Sequence, residues 1–310
     1  MKTTALKTPQ RELKEMSRQN ASIEKMIVQQ EEVQIKCADG FILAGTLYEP
    51  GEVKGAVLVA PATGIKRRFY HAFSSFLAQN GYAALAFENR GIGDSKRGDI
   101  NSGNPSLHDW GKLDMVAALE LLQERYPDIK YHLVGHSAGG QLVGLMNNAQ
   151  DLSSIFNFGC SSGSINNATY PYKFAFHFWI NFVIPVSNFL FGHVKSQWFG
   201  MGEPLPKKVA SDWSRYCNGS GYVKVDLDNL IQHHWYDQLK IPSLWLHATD
   251  DQIANLANVK DMIRVYSKLK YEIITLEPGE LGFQEIGHMG FFSSKKKSLW
   301  KYAIDWLDKQ

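Results

Sequence analysis

The stretch Tyr131-His132-Leu133-Val134-Gly135-His136-Ser137-Ala138-Gly139-Gly140 decides the fold of this chain. An apolar run from Tyr131 to Val134 leads into Gly135-His136-Ser137-Ala138-Gly139, and the residues from Ala138 to Met146 open a segment of helical composition. This is the G-x-S-x-G pattern of a strand that turns so sharply into a helix that only small residues fit two positions either side of the serine. Such a turn lifts the hydroxyl clear of the sheet. It also aims the backbone N–H of the next residue, Ala138, at the place where an oxyanion would form. A Gly/Ser turn without chemistry matches the same five letters, so the surroundings decide.

Outward from the elbow, short strand-like runs alternate with longer helix-like ones, the pattern of an α/β protein whose mostly parallel sheet is flanked by helices. Gly55–Ala60 and Tyr82–Phe87 are continuous apolar runs of the kind buried on both faces of a parallel sheet. Residues 154–158, 243–247 and 271–276 continue the series, and 32–38 with 41–48 read as an antiparallel hairpin around Asp39-Gly40. Helical spacing covers residues 69–80, 107–125, 255–269 and 294–307. This divides the chain into a polar leader (1–31), a core (32–160 and 240–310) and an insertion (161–239) expected to form a helical lid.

The insertion is far longer than an ordinary connection and is rich in aromatics from Tyr170 to Trp179. Lys173, His177, Asn181, Pro185 and Asn188 interrupt it, so no membrane span is expected. The 33 basic and 31 acidic residues nearly cancel, which argues against a nucleic-acid partner. Three scattered cysteines, Cys37, Cys160 and Cys217, form no C-x-x-C and imply neither a disulfide framework nor a zinc site. His233-His234 lacks a third ligand at metal spacing and reads as solvated surface. Residues 1–32 hold no apolar core of a secretory signal, so a reducing cytoplasm is the expected compartment. The sequence carries no indication of oligomeric state.

A serine on such an elbow needs a base to take its proton and an acid to orient that base, following in the order acid, then histidine. His288, in Gly287-His288-Met289-Gly290 after the last expected strand, is the candidate base. In Ala248-Thr249-Asp250-Asp251-Gln252-Ile253 both aspartates qualify as the acid; Asp251 stands where the loop usually presents it, with Asp250 the alternative. Ala138 supplies one expected oxyanion donor. Ala62, in the loop after Gly55–Ala60, is the expected second. No cofactor or metal is required.

Elbow, late aspartate and later histidine together resemble the α/β-hydrolase superfamily, in the branch near monoacylglycerol lipases and serine-aminopeptidase-like hydrolases. Arg90-Gly91-Ile92-Gly93-Asp94-Ser95 is similar to that branch's R-G-x-G-x-S turn, with Asn89 in place of the usual preceding aspartate. Gly287 to Phe292 looks like the corresponding loop of a group of bacterial hydrolases. Where many relatives carry His-Gly at the oxyanion loop this chain has Ala60-Pro61, so Ala62 rests on position alone. The resemblance implies an α/β-hydrolase fold and a serine hydrolase. With an aromatic insertion, a small ester or thioester of an apolar acyl group is the expected substrate. The same residues would suit a peptidase, an amidase or an acyltransferase, and the fold also serves ligand-binding proteins without activity.

Overall fold

A computed structural model describes residues 28–199 and 202–310. Residues 1–27 of the expected leader, where Leu13, Met16, Ile23, Met26 and Ile27 have the spacing of a weak apolar stripe on a helix but equally suit a loosely ordered segment, lie outside the described residues.

One eight-stranded sheet organises the protein. Its strands are β1 (Gln29–Lys36), β2 (Ile42–Glu49), β3 (Gly55–Ala60), β4 (Tyr82–Phe87), β5 (Tyr131–His136), β6 (Leu152–Phe158), β7 (Pro242–Ala248) and β8 (Lys270–Leu276), in the spatial order β1-β2-β4-β3-β5-β6-β7-β8. β2 runs antiparallel to both β1 and β4, and all other pairs are parallel. β1 starts at Gln29, so Gln29 to Glu31, expected in the leader, are instead paired with Leu47 to Glu49.

The continuous apolar runs take the central places because both faces there are covered. All six residues of β3 are buried, and Val57, Leu58 and Val59 each contribute roughly 1.5–3 kcal/mol of apolar burial. Helices α1 (His71–Gln79), α2 (Met115–Arg125), α3 (Ala138–Gln141), α6 (Leu256–Ile263) and α7 (Trp300–Leu307) follow in chain order around an insertion carrying α4 (Tyr172–Phe191) and α5 (Lys207–Asn218). Two apolar clusters result. One lies beneath α1 and α7 around Phe73, Phe158 and Trp300, and the other beneath α2 and the insertion around Trp110, Trp179 and Tyr236.

Two local outcomes differ from the sequence pattern. The helix after the elbow lasts one turn, followed by the 3₁₀ turn Val143–Leu145. Gly144 there lies flat on the Tyr236 ring, where a Cβ would overlap it, and its carbonyl accepts from Trp235 N–H at 2.7 Å. In the insertion, the polar interruptions do not break the helix: α4 is 20 residues long with mean hydropathy 1.5, enough by length and composition to cross a membrane.

Candidate active site

The elbow is built by close approach of backbones. Ser137 is held at φ 50°, ψ −113°, a strained conformation for a residue with a Cβ, and its N–H is anchored by the Phe158 carbonyl at 3.1 Å. A Cβ on Gly135 would stand 2.5 Å from Gly140 N, and one on Gly139 would overlap the Ala60 carbonyl. The two glycines therefore let β5, α3 and the end of β3 touch. Ala138 N–H, at the first position of α3, has no partner among the described residues.

The loops after β7 and β8 meet beside this turn. His288 Nδ1 lies 2.8 Å from Asp251 Oδ2, and Asp251 Oδ1 accepts from Ile253 N–H at 3.0 Å and Ala254 N–H at 2.9 Å. Burial alone would raise the Asp251 carboxyl; the charge and hydrogen bond of His288 and the two backbone donors outweigh it and hold the group below the usual carboxylate range. Asp250 does a different task. Its carboxylate accepts from Ile286 N–H at 2.7 Å and Gly287 N–H at 3.0 Å, tying down the loop that carries His288.

Ser137 and His288 open onto the same cavity, about 190 Å³ in volume. Ile65, Ile253 and Met289 line it from the core, and Leu205, Trp213, Cys217 and Tyr222 from the insertion. Among the described residues the serine hydroxyl and His288 Nε2 are free of hydrogen bonds. Burial pushes the Cys217 thiol up, which removes it as a rival nucleophile.

Ala62 requires a correction. Its N–H, expected as the second oxyanion donor, is directed into the protein and donates to the Tyr70 hydroxyl at 2.8 Å. Tyr70 in turn stands 2.9 Å from His136 Nδ1, and His136 Nε2 stands 3.1 Å from the His288 carbonyl. The carbonyl can only accept, so His136 carries its proton on Nε2 and takes the Tyr70 proton's hydrogen bond on Nδ1. Burial, with His288 nearby, lowers the His136 pKa to about 3, so the ring is neutral. The next residue, Thr63, borders the cavity, and its N–H has no partner among the described residues. The sequence carries no local signal for this displacement, because the tyrosine that captures Ala62 lies eight residues on.

The insertion is fastened to the same turn. Glu203 N–H donates to the Gly64 carbonyl at 2.8 Å, and the Glu203 carboxylate meets Lys66 Nζ at 3.0 Å. His233-His234 lies elsewhere, with His234 3.6 Å from Asp228 and 3.7 Å from Asp237.

Residues 51–188 match the model of a hydrolase family described as serine aminopeptidase, S33, in line with the resemblance drawn from the motifs. No curated protein sequence matches the chain. Among solved structures, an esterase from Pyrococcus furiosus is similar at 14% identity and TM-score 0.56, over 100% of this chain and 96% of that one. An esterase from Exiguobacterium antarcticum is similar at 15% identity and TM-score 0.56 over 90% and 100%. A lipase in an open form is similar at 14% identity and TM-score 0.60 over 91% and 99%. The protein has the α/β-hydrolase fold, and the family match supports a hydrolase.

Proposed function

We propose that the protein is a serine hydrolase that cleaves small esters of apolar acyl groups through an acyl-enzyme on Ser137. The observation that carries this reading is the Asp251–His288 pair at 2.8 Å, bordering with Ser137 one largely apolar cavity. Asp251 keeps His288 Nδ1 protonated, so Nε2 is the basic atom. As Ser137 Oγ bonds to the ester carbonyl carbon, Nε2 takes its proton, and the carbonyl oxygen becomes an oxyanion facing the N–H groups of Ala138 and Thr63. Each such donor is worth about 3 kcal/mol at the transition state. Collapse expels the alkoxide with the proton from His288. Water activated by the same nitrogen then releases the acid and restores the serine. The insertion acts as a cap that supplies the acyl wall.

Ester cleavage is favoured over amino-terminal peptide cleavage by what borders the cavity. An aminopeptidase must hold a protonated amine, yet among the described lining residues there is no aspartate or glutamate. The volume, below the roughly 300 Å³ usual for drug-sized ligands, suits a short acyl chain.

A fluorophosphonate probe tests the nucleophile: labelling is expected on Ser137 and absent in Ser137→Ala. On p-nitrophenyl esters, Ser137→Ala is expected to lower kcat/KM by roughly a hundred-thousand-fold or more, with acetate and butyrate esters preferred over long chains. A folded wild-type protein that the probe leaves unlabelled overturns the proposal.

A further inference from the structure

We propose that the exposed aromatic face of α4 docks on an anionic lipid bilayer, with the helix lying in the plane of the headgroups. The inference does not depend on the reaction proposed above.

Helix α4 has two unlike sides. Phe176, Trp179, Ile180 and Ile184 are buried against the protein, and Asn188 Nδ2 donates to the Lys207 carbonyl at 3.1 Å and lies 3.2 Å from Ser211 Oγ. On the other side Phe174 is 75% exposed, Phe178 52%, Phe182 54% and Phe189 87%. The first three recur every four residues, so they stand in one row along the helix, and the rings of Phe178 and Phe182 stack at 5.0 Å. Tyr170 and Trp198 add exposed aromatic surface at its ends. A contiguous patch of this kind marks an interaction surface, and aromatic side chains are the ones that settle at a membrane interface.

Length and hydropathy alone would let α4 cross a bilayer, but its inner face is fixed by packing and by the Asn188 hydrogen bonds. It can therefore lie on a membrane without leaving the protein. Charge selects the partner. Residues 166–208 hold four lysines, of which Lys208 is paired with Asp212 at 3.4 Å, and one acidic residue, Glu203, which is paired with Lys66. Lys195 Nζ lies 3.8 Å from the Phe191 ring centroid and 4.4 Å from that of Trp198, so positive charge adjoins the aromatic patch. Two copies facing each other would bring these lysines together, whereas anionic headgroups neutralise them. The patch also adjoins the cavity in sequence, since Leu205 and Trp213 line it.

The test is flotation with vesicles of phosphatidylcholine alone and of phosphatidylcholine mixed with phosphatidylglycerol. Wild-type protein is expected to float with the mixed vesicles, to bind the neutral ones weakly, and to be released as salt rises. The triple variant Phe178→Ser/Phe182→Ser/Phe189→Ser is expected to lower partitioning by about tenfold or more with an unchanged melting temperature. Should that variant fail to fold, Phe189→Ser, at the most exposed of the three positions, decides alone. Wild-type protein that binds neither vesicle, variants that float as well as wild type, or equal binding to both lipid mixtures would overturn the proposal. So would a dimer in sedimentation equilibrium that the triple variant abolishes without any vesicle binding.

Discussion

Tyr70 is fully buried, and its hydroxyl joins the turn after β3 to the elbow, while His136 joins the elbow to the loop of His288. Replacing it with phenylalanine keeps the ring and leaves Ala62 N–H and His136 Nδ1 without partners in a buried site, a cost of about 1–3 kcal/mol. We expect Tyr70→Phe to lower kcat by about tenfold to a hundredfold with a smaller change in KM, because the lost contacts align the proposed base and donors while Tyr70 and His136 themselves do not line the cavity. Steady-state kinetics beside a thermal melt checks this, and a kcat equal to wild type would count against the linkage. The same residue shows where sequence reading stops. Ser137, His288 and the two aspartates stand out through their neighbours, but whether an N–H points outward or inward depends on a side chain elsewhere. Ala62 was therefore a reasonable expectation from position, and the fold directed it to Tyr70.

At the scale of elements, the glycines of the elbow carry the most stringent demand. Gly139→Ala would drive its methyl into the Ala60 carbonyl, which is backbone at the end of a buried strand and has nowhere to move. Gly287, at φ 59°, faces open space, so Gly287→Ala meets only conformational strain. Urea unfolding is expected to show a loss of about 3 kcal/mol or more for the first, or no folded protein, and about 1–2 kcal/mol for the second. Comparable losses would mean that the close approach does not govern the turn. The strands were legible because continuous burial writes itself as continuous apolar sequence, as in Gly55–Ala60. The helices of the insertion were less so. Asn181 and Asn188 resemble breaks, yet Asn181 pairs with Asn218 across to α5, and Asn188 bonds α5 directly. Polar residues that find partners on a neighbouring helix leave the helix intact, and those partners lie far away in sequence.

For the molecule as a whole, the three buried imidazoles His132, His136 and His247 set the response to acid, and burial lowers His247 below its ordinary value. Burial, with Lys130 adding to it, lowers His132 to about 4, and His136 is lowered to about 3. Both are neutral when folded, whereas in the unfolded chain they would take protons near pH 6.5. The stability they confer is fully present above that pH and is lost as pH falls toward the folded values, by up to about 1.4 kcal/mol per unit for each. Asp251, held low by its partners, adds a loss of the same sign further down. Thermal melts from pH 7 to pH 4.5 should show a falling midpoint that begins near pH 6.5, and a flat profile between pH 6.5 and pH 5 would contradict this.

Glu203 N–H is bonded to the Gly64 carbonyl, beside the Lys66 bridge. Gly64 immediately follows Thr63, so one attachment sets both the seating of the insertion and the aim of the proposed donor N–H. The wall of the cavity and its polar edge are thereby built as a single piece of backbone.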